Sequence, residues 1–481
     1  MKYGDSPLVQ KLVEFKETNP VSFHVPGHKN GMLSGLPAGL RSALSYDFTE
    51  LNGLDDLHQP NGVIEEAERK LTTLYDADKS FFLVNGSTVG NLAMIYATCR
   101  EGEIVIVQRN AHKSIFNAIE LTGARPVFIT PEWDHDTKIA GAVTAMQIRE
   151  ALGTYPEVKA VILTYPTYYG TTGDELEEII SICHERCIPV LVDEAHGAHF
   201  VIGGPFPKSA LTMGADIVVH SAHKTLPAMT MASFLHVKSK FISIEKVAHY
   251  LQMLQSSSPS YLLMASLDDA RAYAESFAEE DMESFLSSRD KMIERLNDIP
   301  TLLLIEPDDS LKLILRVNGY SGFALQKSLE EQGIYAELAD PYQVLFILPL
   351  AKQEHHNLIE EIARKIAYAV KCLENEQRKA DELDSPVFIN KISLPCYTAR
   401  ELEHLQVNWV HYEIAIGMVA AGSIIPYPPG IPLLLAGERV TEEHIQLLAE
   451  LVAMEAKFQG TIRMNEKKIL VVINEAEEYH E

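Results

Sequence analysis

In Ala215-Asp216-Ile217-Val218-Val219-His220-Ser221-Ala222-His223-Lys224-Thr225, a β-branched apolar run from Ile217 to Val219 predicts a buried strand. The strand ends in a polar turn that carries a lysine. A lysine just past a buried strand is partly desolvated, which favours its neutral, nucleophilic amine. Such an amine can form a Schiff base with an aldehyde. Taken alone, Lys224 reads as an exposed loop lysine; the segments before it reverse that.

Upstream lies Val190-Leu191-Val192-Asp193-Glu194-Ala195-His196-Gly197-Ala198-His199. A carboxylate at the end of a buried strand is costly unless it meets a cation. A protonated pyridinium nitrogen is one such partner for Asp193, and small Ala195 leaves room for a flat ring. A competing reading makes Asp193, Glu194, His196 and His199 metal ligands. Their spacing matches none of the helical zinc motifs, so no metal is expected.

Further upstream, Asn85-Gly86-Ser87-Thr88-Val89-Gly90-Asn91 follows a predicted strand and opens a helix. Backbone N–H groups, two hydroxyls and the positive helix end can converge there on a phosphate, and Gly86 permits close approach. An ordinary helix cap accounts for the same residues equally well. No Gly-x-x-x-x-Gly-Lys-Ser/Thr loop occurs, and no Gly-x-Gly-x-x-Gly follows the first strand. Three His-Lys pairs exist: His28-Lys29, His112-Lys113 and His223-Lys224. Only the last completes the order phosphate turn, aspartate, lysine; Lys29 and Lys113 read as loop or solvent lysines. His112 opens a helix after a strand, at the same sheet edge, where it caps the helix or stacks on a planar ligand.

Candidate strands are Phe81–Val84, Ile104–Val107, Pro126–Ile129, Ala160–Leu163, Val190–Val192, Ile217–Val219 and Ser233–Val237. Helical stretches begin near Thr88, His112, Val143 and Asp174. This alternation predicts a mostly parallel seven-stranded sheet covered on both faces, binding its ligand beyond the strands' carboxyl ends. A helical region follows from about Phe241 to Asn297, then a smaller α/β unit. A charged linker from Glu374 to Asp384 comes next, then a last segment with a helix around Thr441–Phe458 and a terminal strand, Lys468–Ile473.

The 481 residues, 46% hydrophobic and 22% charged, describe a soluble globular protein. No apolar run approaches the roughly 20 residues that span a bilayer, and the N-terminus lacks a signal peptide's apolar core. A cytoplasmic protein without a membrane partner is expected. A formal charge of −26 argues against nucleic acid and is compatible with a cationic small substrate. Five scattered cysteines are expected to be reduced and buried.

Six segments in order resemble pyridoxal-phosphate enzymes of the aspartate-aminotransferase-like fold (fold type I), and most closely the bacterial ornithine/lysine/arginine decarboxylase family. They are Phe23-His24-Val25-Pro26-Gly27-His28-Lys29, Leu54-Asp55-Asp56-Leu57-His58, Asn85-Gly86-Ser87-Thr88, Asp193 to His199, Ser221 to Thr225, and Pro426-Tyr427-Pro428-Pro429-Gly430-Ile431-Pro432. The resemblance implies pyridoxal 5'-phosphate as cofactor, with Lys224 as its Schiff-base lysine and Asp193 at the ring nitrogen. It further implies Ser87, Thr88, Ser221 and His223 around the phosphate, with Gly86 and Ala195 beside the cofactor. His112 would stack on the ring and His196 lie near the phenolic oxygen.

The implied organisation is an N-terminal helix with active-site loops over 1–62 and a cofactor-binding large domain over 63–260. A small α/β domain over 261–384 and a C-terminal domain over 385–481 complete it. The chain resembles the family's shorter branch, without the N-terminal wing domain of the larger members. A homodimer with its site at the subunit interface is expected, the Pro26 or Pro428 loop serving the neighbouring site. The implied activity is α-decarboxylation of a basic amino acid, arginine ahead of lysine and ornithine, in polyamine synthesis. Asp55, Asp56 and Glu413 are candidates for the substrate's cationic end. Another fold-type-I activity, an aminotransferase or aldolase, is the alternative; a non-catalytic binding protein on the same fold is the second.

Overall fold

The computed structural model describes residues 5–352, 356–374, 392–426, 432–453 and 456–473. Most of the Pro426–Pro432 loop and of the charged linker lies outside these residues. The chain forms two compact units that interleave in sequence: Met1–Thr98 with Ile180–Ala278, and Cys99–Ile179 with Glu279–Glu481.

In the first unit, strands run in the order Lys79–Leu83, Ser233–Val237, Ile217–His220, Val190–Asp193. The last two are parallel, with Asp193 opposite Val219, whereas Ser233–Val237 is antiparallel to both of its neighbours. Val190–Asp193 and Ile217–His220 are buried along their whole length, as continuous apolar runs covered on both faces should be. Helix Gly86–Thr98 packs closely on this sheet because Gly90 has no side chain. A Cβ there would come within 2.8 Å of Leu83 and Val219 side-chain carbons. Helix Pro7–Glu17 starts with its proline in the first turn, where no amide partner is lost. It is anchored by the Leu8 amide donating to Asp268, which also pairs with the buried Arg271.

In the second unit, Ala160–Thr164, Ile104–Gln108 and Arg125–Ile129 lie side by side and parallel. The two-residue strand Ile392–Ser393 joins Arg125–Ile129 antiparallel. These strands number eight in all rather than the expected seven; so short an edge strand carries no periodicity to detect. A second antiparallel sheet orders Leu302–Ile305, Lys312–Val317, Val344–Ile347, Leu338–Ala339. Its core includes Leu313, Leu315, Leu329, Ile366 and Val370 from strands and helices. A third sheet pairs Lys468–Val472 with Val407–His411 and Ile462–Arg463, beside helix Glu442–Ala453.

Two expected helical regions need correction. The run from Phe241 to Asn297 divides into Ile244–Leu254, Tyr261–Glu275 and Glu279–Asn297: Gln255 leaves the first helix in extended geometry, Pro259 disfavours helical geometry at Ser258, and Ser260 caps the next helix. Of the expected Thr441–Phe458 helix, the described helical residues are Glu442–Ala453, and Phe458–Gly460 is a strand. All five cysteines are free, but only Cys99 and Cys183 are buried; Cys372 is half-buried, and Cys187 and Cys396 are exposed.

Candidate functional site

The first unit gathers most of the expected site residues at the carboxyl ends of its two parallel strands. Asp193 closes Val190–Asp193 and is buried. Its Oδ2 accepts a 2.8 Å hydrogen bond from Asn91 Nδ2, and its Oδ1 accepts one of 3.2 Å from the Ala195 amide. No lysine, arginine or histidine among the described residues pairs with it. A buried carboxylate supported only by neutral donors calls for a cationic partner. A protonated ring nitrogen fits that requirement, and Ala195 offers no bulk beside it.

Strand Ile217–His220 leads into the one-turn helix Ala222–Thr225, which carries His223 and Lys224. Lys224 Nζ lies 2.9 Å from His196 Nε2. The Ser221 hydroxyl donates to the Ser87 hydroxyl at 2.8 Å, so two hydroxyls meet at the start of helix Gly86–Thr98. Gly86 has a φ of +76° and donates its amide to the Met231 carbonyl; an added Cβ would meet nothing, so the space over this turn is open. Exposed Thr88 follows in the first helical turn. His223 Nδ1 lies 3.1 Å from the Ala232 carbonyl. Because a carbonyl only accepts, that nitrogen carries the proton. Hydroxyls, an open glycine turn and a helix N-terminus form a set that can hold a phosphate.

Glu194 points elsewhere. Its fully buried Oε2 accepts from the Ser209 hydroxyl and the Ala210 amide, and lies 3.6 Å from His220 Nε2. His220 Nδ1 is 3.1 Å from His236 Nε2, and His236 Nδ1 is 2.8 Å from the Ser80 hydroxyl. Burial raises the Glu194 carboxyl above its usual value, against the opposing pull of His220. Burial, followed by the His220 charge, drives His236 well below the ordinary histidine value. His199 is buried against the edges of Phe200 and Phe206. Among the described residues no group of three or more His, Cys, Asp or Glu side chains is placed to hold a metal ion.

His112 belongs to the second unit and is the N-cap of helix Lys113–Thr122, its Nδ1 accepting from the Ser114 amide. Lys113 is exposed, and Lys29 donates to the His24 carbonyl. Asp55 is not available to a substrate. Both its oxygens accept backbone N–H groups, from Asp56 and Asn61 on one side and Gly62, Ile64 and Glu65 on the other. Burial opposes its charge, but those donors outweigh burial and hold its carboxyl below the usual range.

Asn91 was missed from the sequence. The signal was present: Asn91 stands four residues after Ser87 in one helix, on the same face. The His220–His236 pair had no such signal, because antiparallel register brings these residues together.

The family model for the major domain of Orn/Lys/Arg decarboxylases matches residues 6–310, and the model for the C-terminal domain matches residues 382–462. A Bacillus subtilis protein described as uncharacterized protein YaaO is 46% identical over 98% of this chain and 99% of its own length. The arginine decarboxylase of the same organism is 33% identical over 93% of this chain and 94% of its own length. Lysine decarboxylase A from Pseudomonas aeruginosa superimposes with a TM-score of 0.79 at 19% identity, covering 97% of this chain and 80% of that one. That likeness establishes the fold-type-I architecture. With both domain models matched in order, the chain belongs to the Orn/Lys/Arg decarboxylase family of pyridoxal-phosphate-dependent amino-acid decarboxylases.

Proposed function

We propose that the protein removes the α-carboxylate of a basic amino acid, converting arginine to agmatine in preference to acting on lysine or ornithine, within polyamine synthesis. Support for the family-level reaction is the matched family. Support for the site is one geometry: a buried aspartate without a cation and a lysine amine at the ends of adjacent parallel strands. Arginine is favoured by the 33% identical arginine decarboxylase and by the strongly negative chain.

In this reading Lys224 and Asp193 hold the cofactor at its aldehyde and ring nitrogen. Ser87, Thr88, Ser221, His223 and the Gly86 turn hold its phosphate, and His112 stacks on its ring. Pyridoxal phosphate supplies the electron sink for the pair released when the bond to the α-carboxylate breaks. Asp193, fixed by Asn91 and the Ala195 amide, keeps negative charge beside the ring nitrogen. His196 Nε2 lies within direct proton-transfer reach of Lys224 Nζ. The pair can therefore leave the Lys224 amine neutral and later deliver a proton to the former α-carbon. The overall reaction takes up that proton and releases carbon dioxide and an amine.

A homodimer forms part of the proposal. Val21, Phe23, Val25, Met32, Leu33 and Leu40 are strongly exposed on the segment that carries the Phe23–Lys29 motif, an apolar surface suited to a second copy. A cytoplasmic location is proposed as well, supported by five cysteines without a disulfide. No helix among the described residues is long and apolar enough to cross a membrane.

The test is incubation with each basic amino acid and identification of products. Arginine should yield agmatine and carbon dioxide in equal amounts. Formation of a keto acid without carbon dioxide removes the decarboxylase assignment.

A further inference from the structure

A cavity of about 400 Å³ lies wholly within the second unit, at the carboxyl ends of Ile104–Gln108 and Ala160–Thr164. Four carboxylates line it, from Glu132, Asp134, Asp174 and Glu175, and no lysine, arginine or histidine does. Asp134 and Glu175 are engaged with backbone amides, of Asp136 and Thr137 and of Ala145 respectively. The exposed Glu132 and Asp174 side chains have no hydrogen-bond or ion-pair partner among the described residues.

The interior has the opposite need. Gln108 is 1% exposed and Thr164 9%. Gln108 Oε1 accepts from the Thr164 amide, which fixes the orientation of the amide group and leaves Nε2 as a donor. That Nε2 and the Thr164 hydroxyl are both buried without a partner among the described residues. A buried donor left unmatched costs free energy, so each calls for an acceptor, and both side chains line the cavity. The first turns of helices Ala145–Thr154 and Leu176–His184 also open on this space, through Thr144 and Leu176. Their positive ends favour negative charge inside.

We propose that this cavity is a second, non-catalytic binding site for a small zwitterion with a distal cation, the chemistry of a free basic amino acid. Its carboxylate accepts from Gln108 Nε2 and the Thr164 hydroxyl, and its cationic end lies between Glu132 and Asp174. The inference rests on the cavity alone and not on the decarboxylase reading, so either can fail without the other.

Trp133 lines the cavity, and the chain has only one other tryptophan, Trp409. In a Trp409→Phe holoenzyme reduced with borohydride to stop turnover, Trp133 emission reports on the site. L-arginine should change it saturably, with agmatine (no carboxylate) and L-norvaline (no distal cation) each about 10-fold weaker. Glu132→Gln with Asp174→Asn should weaken L-arginine about 5-fold, and Thr164→Val should weaken it similarly. The unreduced double variant should keep the parent's kcat. Calorimetric titration of the reduced enzyme with both tryptophans intact repeats the comparison should Trp409→Phe fail to fold. A flat response up to about 20 mM L-arginine overturns the proposal. Half-saturation unchanged in the double variant does so too, as does agmatine or norvaline binding as tightly as arginine.

Discussion

Asp193 and Glu194 are adjacent carboxylates at the end of one strand, and the fold gives them opposite surroundings. Asp193 meets an amide side chain and a backbone amide, with Ala195 and the Lys224–His196 pair nearby in sequence and register. Glu194 meets Ser209, Ala210 and His220 and continues into a buried chain ending at Ser80. Strand alternation separates them, since successive side chains leave a strand on opposite faces. One face is left short of a positive charge; the other pairs its carboxylate with neighbours of its own, although Glu194 Oε1 is buried without a hydrogen-bond partner among the described residues. A motif that reads as a single acidic patch is thus two devices back to back.

The hardest blow to that division comes from the working face. Lys224→Ala should abolish both turnover and the visible absorbance of the bound cofactor, while Lys29→Ala keeps the colour. Asp193→Asn should lower kcat by about 10³-fold, the scale of losing a preorganised electrostatic group. If Glu194→Gln depresses kcat as severely as Asp193→Asn, the two faces are not functionally distinct. A smaller effect is expected at Asn91. Asn91→Ala removes the donor to Asp193 Oδ2 in a buried setting, which costs about 1–3 kcal/mol. Weaker cofactor retention in dialysis, with a raised half-saturation for pyridoxal phosphate, is the readout.

What could be read in advance follows the same division. The buried strands, the lysine turn and the helix start with its two hydroxyls were legible because each is local: apolar runs and capping chemistry lie within a few residues of one another. Asp193 stood out as a charge at the end of an apolar run. Asp55 misled for a related reason, because a carboxylate in a matching segment says nothing about the backbone donors that surround it. His236 and Ser80 could not be found, since their meeting depends on antiparallel register between Lys79–Leu83 and Ser233–Val237, where Ser80 sits opposite His236. The strand Val407–His411 was equally hidden; two of its residues are exposed, and only pairing with Lys468–Val472 defines it.

The inner face makes its own prediction through pH. His236 is buried and held far below the ordinary value of 6.5, so the folded protein refuses a proton that the unfolded chain accepts. Stability associated with this group is complete above pH 6.5 and is lost as pH falls below it. The slope is about 1.4 kcal/mol per pH unit until the folded value is reached. Urea midpoints measured from pH 7.5 to 5 should fall less steeply in His236→Asn than in the parent. Parallel curves would mean that His236 does not carry the difference in proton uptake between the folded and unfolded chain.

The mildest effect is expected where a carboxylate serves only the backbone. Asp55 gathers five amide donors around the start of helix Val63–Leu74, at a left-handed φ of +71° that asparagine also tolerates. Asp55→Asn therefore keeps the turn but replaces an acceptor oxygen with an amide that faces other donors, a cost of about 1 kcal/mol on the scale of helix caps. The folded carboxyl lies below its unfolded value of 3.8, so its contribution is present above that pH. The gap between parent and variant should close as pH falls through the folded value, where the parent also loses its charge. KM and the ranking of basic amino acids should stay those of the parent. A changed ranking would return Asp55 to the substrate pocket and erase the contrast between a carboxylate that caps a helix and one that faces chemistry.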